Sequence, residues 1–111
     1  MQLTEKEYKR CLLLKVEGRV DHETAMELEK TFDGIFKKRQ YQIVIDLSGV
    51  DYISSAGLHT LVSTLKKARK RTGGDVRLAA LSDRLKEGFQ LVGFDQLFQT
   101  YEEVSDAVGS F

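Results

Sequence analysis

Residues 43–58 read IVIDLSGVDYISSAGL, and this stretch decides the fold. Ile43, Val44 and Ile45 are consecutive and β-branched, the composition of a strand buried on both faces. Asp46-Leu47-Ser48-Gly49 has turn chemistry and is expected to break out of that strand. Ser54 and Ser55 stand where a helix begins, because a serine hydroxyl accepts hydrogen bonds from first-turn amides. Downstream, Leu58, Leu61, Val62, Leu65 and Ala68 recur at helical spacings as one apolar stripe. The basic run from Lys66 to Arg71 and then Gly73-Gly74 close the helix. A buried strand, a polar turn and a helix in that order make half of a parallel crossover unit.

The same alternation extends outward in both directions. Cys11 to Val16 is a short apolar run ended by Glu17-Gly18 and reads as a strand, with Leu3 to Tyr8 as a hairpin partner. Asp21 opens a helical pattern, with the helix expected to start near Glu23. Ala25, Leu28, Phe32, Ile35 and Phe36 mark its buried side, and Lys37, Lys38 and Arg39 suit the negative end of its dipole. Val76 to Leu81 reads as a third buried strand. Ser82 can cap a helix that starts near Asp83, carries Leu85, Phe89 and Val92, and is closed by Gly93. Phe98 to Tyr101 is a short last strand, and Glu102 to Val108 a terminal helix with Val104, Ala107 and Val108 inward. The order predicts an α/β fold: one domain over residues 1–111, with a mostly parallel sheet of four to five strands and about four helices. Such folds place functional loops at the carboxyl ends of the strands. The loop from Asp46 to Ser55 is the longest and most polar of these.

Composition narrows the function. Lys+Arg and Asp+Glu are both 17, so the net charge is zero, which argues against a protein held on nucleic acid or an anionic membrane by bulk charge. The apolar runs are far shorter than a membrane span, no signal peptide opens the chain, and a cytoplasmic protein is expected. Cys11 is the single cysteine and reads as a small buried hydrophobe, and Met26 reads as packing. His22 and His59 are the two histidines, too few for an obvious metal centre, and His22 beside Asp21 lacks a third group for a triad. His59 reads as a surface or half-buried side chain, and the run Lys66 to Arg71 as a solvated helix end. No P-loop pattern is present. Neither an enzyme nor a bound cofactor or metal is expected.

What remains is a hydroxyl at a helix N-terminus. Unpaired amides and the positive dipole end meet there, so a phosphate on that hydroxyl would be well accommodated. Gly57 in the first turn is expected to keep side-chain bulk away. On spacing alone Ser54 or Ser55 reads as a plain N-cap, and Asp46 as a capping or turn residue.

Val44-Ile45-Asp46-Leu47-Ser48 followed by Tyr52-Ile53-Ser54-Ser55-Ala56-Gly57-Leu58 resembles the signature of the STAS family, whose soluble members include bacterial anti-sigma factor antagonists. Glu17-Gly18-Arg19-Val20-Asp21 is similar to the family's segment before the first helix, Gly93-Phe94 to its turn before the last strand, and Glu102 to Val108 to its closing helix. The resemblance implies a partner switch. The unmodified domain binds a GHKL-type anti-sigma factor that is also a serine kinase, phosphorylation of one serine releases it, and a PP2C-like phosphatase resets it. Counted back from Gly57 and Leu58, the phosphoacceptor falls on Ser55, with Ser54 the second choice. Ser54 stands where the family commonly has aspartate. Asp21, Ser54, Ser55, Ala56, Gly57 and Leu58 are the implied partner-binding positions, and Asp46 is read as orienting the loop. The alternative within the family is a structural STAS subunit of a lipid ABC transporter or a sensory complex.

Overall fold

The computed structural model describes residues 1–111. Five strands run β1 (Gln2–Glu7), β2 (Leu12–Glu17), β3 (Gln42–Gly49), β4 (Asp75–Ala79) and β5 (Thr100–Tyr101). Four helices intervene: α1 (His22–Lys37), α2 (Ser55–Arg69), α3 (Asp83–Leu91) and α4 (Val104–Gly109), with a 3-10 turn at Phe94–Gln96. The sheet follows chain order, β1-β2-β3-β4-β5. β1 is antiparallel to β2, and every other pairing is parallel. The expected α/β architecture is the one observed.

Side chains alternate across each strand, so the sheet has two apolar faces. Leu12, Leu14 and Val16 of β2, Ile43, Ile45 and Leu47 of β3, and Val76 and Leu78 of β4 join a cluster of 20 buried residues with α1, α2 and α3. The opposite face buries only four residues in its cluster: Cys11, Val44, Ala79 and Ala107, roofed by α4.

Several boundaries depart from the sequence reading, each for a local reason. β3 does not break at Asp46 but continues to Gly49, because a register shift in β2 between Lys15 and Glu17 keeps the two strands paired. β4 ends at Ala79, since Ala80 takes a left-handed φ of 59°, which turns the chain out of the sheet before Leu81. The last strand is only Thr100–Tyr101, and the 3-10 turn takes up the residues ahead of it. The buried side of α2 is rotated from the expected stripe. Thr60 and Thr64 are buried beside Leu61 and Leu65, each hydroxyl donating to the carbonyl four residues back, while Leu58 and Val62 are only half-buried at the edge. Met26 is 58% exposed and Val92 54% exposed, so neither is core.

The basic run is not uniformly solvated. Buried Asp75 accepts from Arg69 Nε at 2.9 Å and from Arg77 Nε at 3.0 Å. Arg69 also reaches the Leu97 carbonyl at 2.8 Å, fastening the end of α2 to β4 and to the loop ahead of β5. Leu65, 2% exposed, lies in the larger cluster. Leu65→Ala therefore creates a cavity and lowers stability by about 2–5 kcal/mol, read as a lower denaturation midpoint with native circular dichroism.

Candidate functional site

The carboxyl ends of β2 and β3 feed the N-termini of α1 and α2, and a short parallel bridge between Val20 and Ile53 ties the two connecting loops together. Val20 N–H donates to the Tyr52 carbonyl at 3.1 Å, and Ser54 N–H donates to the Val20 carbonyl at 2.8 Å. Gly18 N–H donates to the Gly49 carbonyl at 2.9 Å. Asp21 and the Ser54-Ser55 pair are thereby brought to one edge of the sheet by neighbouring loops. The Arg19 guanidinium lies over the Tyr52 ring, 4.1 Å from its centroid, closing the same edge.

Ser54 is the N-cap of α2, and its Oγ accepts from Gly57 N–H at 3.2 Å. Ser55 is the first helical residue, and it is exposed. The capping task thus falls on Ser54, leaving the Ser55 hydroxyl outside the cap. The Ser55 and Ala56 amides lie in the first turn, where helix geometry leaves them without an intrahelical partner. Ala56 and Leu58 are half-buried.

Gly57 serves a different purpose from the one expected. It is buried on the inner side of the first turn, where a Cβ would stand 2.7 Å from Val20 Cγ1 and 2.8 Å from Ile53 Cγ2. Its missing side chain lets α2 seat on the Val20–Ile53 bridge rather than clearing the outer surface. Asp46, 8% exposed, accepts from Ser48 N–H at 2.9 Å and shapes the start of the loop.

Asp21 caps α1 through a reciprocal pair. Thr24 N–H donates to Asp21 Oδ1 at 3.0 Å, and Asp21 N–H donates to Thr24 Oγ1 at 2.8 Å. The Thr24 amide, then its hydroxyl, hold the Asp21 carboxyl below the ordinary aspartate range.

Leu58 apart, the apolar border of the site is not indicated by the sequence. A shallow furrow beside Ser55 is lined by Leu58, His59, Val62, Val92 and Phe94. A second runs from Tyr52 and Ile53 to Leu85 and Phe89. These residues come from the loop ahead of α2, from α2 and α3, and from the turn after α3, so no single periodic segment announces them. His59 is exposed on α2. No group of three or more His, Cys, Asp or Glu side chains is placed to hold a metal ion.

Two substitutions test this geometry. Gly57→Ala forces Val20 or Ile53 off its rotamer and lowers the unfolding midpoint by the equivalent of about 1–3 kcal/mol. For Asp21→Ala the sign follows from the depressed carboxyl: the wild type keeps its capping advantage above the unfolded-state value and loses it as pH falls through the folded-state one. Melting curves of the two proteins should differ at neutral pH and converge in acid.

This arrangement sits on a chain with known relatives. The sequence model of the STAS domain matches residues 2–107. A Bordetella bronchiseptica protein, BtrV, described as a candidate anti-sigma factor antagonist, is 30% identical over 111 residues, covering 100% of this chain and 95% of its own. The crystal structure of an anti-sigma factor antagonist from Mycobacterium paratuberculosis superposes with a TM-score of 0.88 at 25% identity, over 98% of this chain and 92% of that one. The Bacillus cell fate determinant SpoIIAA, solved in its phosphorylated form, shares the fold with a TM-score of 0.76 at 14% identity, over 98% of each chain. The site at the paired helix N-termini is thus carried on a domain whose family is known: the chain belongs to the STAS domain family.

Proposed function

We propose that this protein is a cytoplasmic anti-sigma factor antagonist that works by partner switching. Unphosphorylated, it binds a GHKL-type anti-sigma factor that is also a serine kinase. Phosphorylation of Ser55 releases it, and a PP2C-like phosphatase restores it. The observation that carries this reading is the division of labour at α2: Ser54 caps the helix and is tied by its N–H to the Val20 carbonyl ahead of α1, while Ser55 stands exposed beside it. The relatives named as antagonists support the reading, as does the existence of a protein of this fold in a phosphorylated form. The chain acts here as a kinase substrate and binding module, not as an enzyme.

The switch needs no large rearrangement. Phosphoserine adds a charge of about −1.5 to −2 at neutral pH. In the free protein the open amides of α2 and its dipole accommodate that charge. In a complex the same group lies in a packed interface, and a loss of about 3 kcal/mol there weakens binding on the order of 100-fold. Asp21 and the Ser54–Leu58 turn form the contacting edge, and Asp46 acts indirectly by fixing the loop.

The test is phosphopeptide mass spectrometry after treatment with the kinase and ATP, beside a binding titration of each variant. Ser55→Ala should fold normally, resist phosphorylation and hold the kinase persistently. Ser55→Asp should bind it more weakly. Ser54→Ala should still be phosphorylated, with about 1 kcal/mol of stability lost with the cap. Phosphate on Ser54, with Ser55→Ala still fully modified, would reassign the acceptor. If no kinase modifies either serine, and a pull-down instead recovers a transporter ATPase or sensory assembly, the structural-subunit role replaces partner switching.

A further inference from the structure

Between Asp51 and Asp75 the sequence contains no acidic residue and five cations: Lys66, Lys67, Arg69, Lys70 and Arg71. The structure engages two of them, Arg69 with Asp75 and Arg71 over the Tyr41 ring. Lys66, Lys67 and Lys70 are exposed and belong to no ion pair. They are also aligned. His59, Ser63, Lys66 and Lys70 follow at four-, three- and four-residue steps, which puts them on one line along α2.

That line connects with the Ser55 site. The furrow beside Ser55 includes His59 and Val62, and a second hollow lined by Ser63, Lys66, Lys67 and Lys70 includes the same two residues. The two form one continuous track along the outer face of α2. From Ser55 to Lys70 it extends about 22 Å at the helical rise. Its apolar end lies at the serine and its cationic end at the close of the helix. The helix dipole accounts for cations at that end. It does not account for three lysines left without an ion-pair partner in a chain of zero net charge.

We propose that this track is a docking groove for an acidic segment of the same protein partner that engages Ser55. The proposal rests on the reading of Ser55 as the switch and adds a second contact to it. A carboxylate-rich strand or loop lying along α2 would pair with Lys66, Lys67 and Lys70 and hold the partner so that Ser55 meets its active site. Nucleic acid fits less well. It needs a broad basic field, and α1, packed beside α2, exposes Glu23, Glu27, Glu29 and Asp33. Long-range attraction by such a patch steers encounter and fixes register.

The experiment has two readouts. The first is a nuclear magnetic resonance titration with heptaglutamate, which at about 3.3 Å per residue matches the length of the groove. Amide shifts should concentrate at Ser63, Lys66, Lys67 and Lys70, weaken in high salt, and vanish in the double variant Lys66→Glu, Lys70→Glu. Lys30→Glu on α1 should leave them unchanged. The second is steady-state phosphorylation by the kinase. The double variant should raise KM for the antagonist about tenfold at low salt with kcat unchanged, while Lys30→Glu matches the wild type. Shifts scattered over the surface or retained in the double variant overturn the groove. So does a DNA duplex that displaces heptaglutamate and binds more tightly, which would assign the track to nucleic acid. If the double variant is phosphorylated with wild-type KM, the groove falls and the Ser55 switch stands. If the kinase does not modify wild type at all, the switch falls, and the titration decides by itself whether the lysines form an acidic-segment site.

Discussion

The structure depends on the burial of β3 from both sides. Ile43, Ile45 and Leu47 join one cluster and Val44 the other, each essentially sealed from water. A strand so placed cannot be an edge. It must be flanked by β2 and β4, and parallel neighbours oblige the chain to cross over through helices. Those crossovers return each helix N-terminus to the same end of the sheet. The gathering of Asp21, Ser54 and Ser55 there follows from the strand's composition before any functional residue is considered.

Once the helix N-termini share an end, their spacing is set by backbone and not by side-chain reach. The bridge between Val20 and Ile53 fixes the two loops, and Gly57 allows the first turn of α2 to sit directly on it. The Ser54 end of α2 is thus tied by backbone to the segment that carries Asp21. Under the proposed switch, such a base suits a signal carried by charge, because a phosphate added there would act on whatever lies against the edge.

Much of this was legible in the sequence. The β-branched run at 43–45, the Ser-Ser helix start and the glycine closures indicated the element order, because they report local backbone preference. What was not legible depended on contacts between distant segments. The outward roles of Val92 and Met26, the rotation of α2 onto Thr60 and Thr64, and the capture of Arg69 by Asp75 arise from neighbours that no periodicity encodes. Threonine hydroxyls that bond to their own helix can be buried at modest cost, so the pattern of apolar residues misjudged that face. At the site, the serines are marked by the sequence, but the close approach of Gly57 to Val20 and Ile53 is not. The pairing partner of a glycine is invisible until the fold is known.

The two faces of the sheet are unequally secured. One is held by three helices and a large cluster, the other by α4 alone over Cys11, Val44 and Ala79. Partial opening of a native protein begins where the fewest apolar contacts must be given up. Here that is the α4 layer, which can lift while the sheet and the α1–α3 side remain closed. Cys11 lies beneath it, 1% exposed, with its thiol pushed up by burial and thus quiet in the closed state. The rate at which a thiol reagent reaches Cys11 therefore reads the opening of that layer.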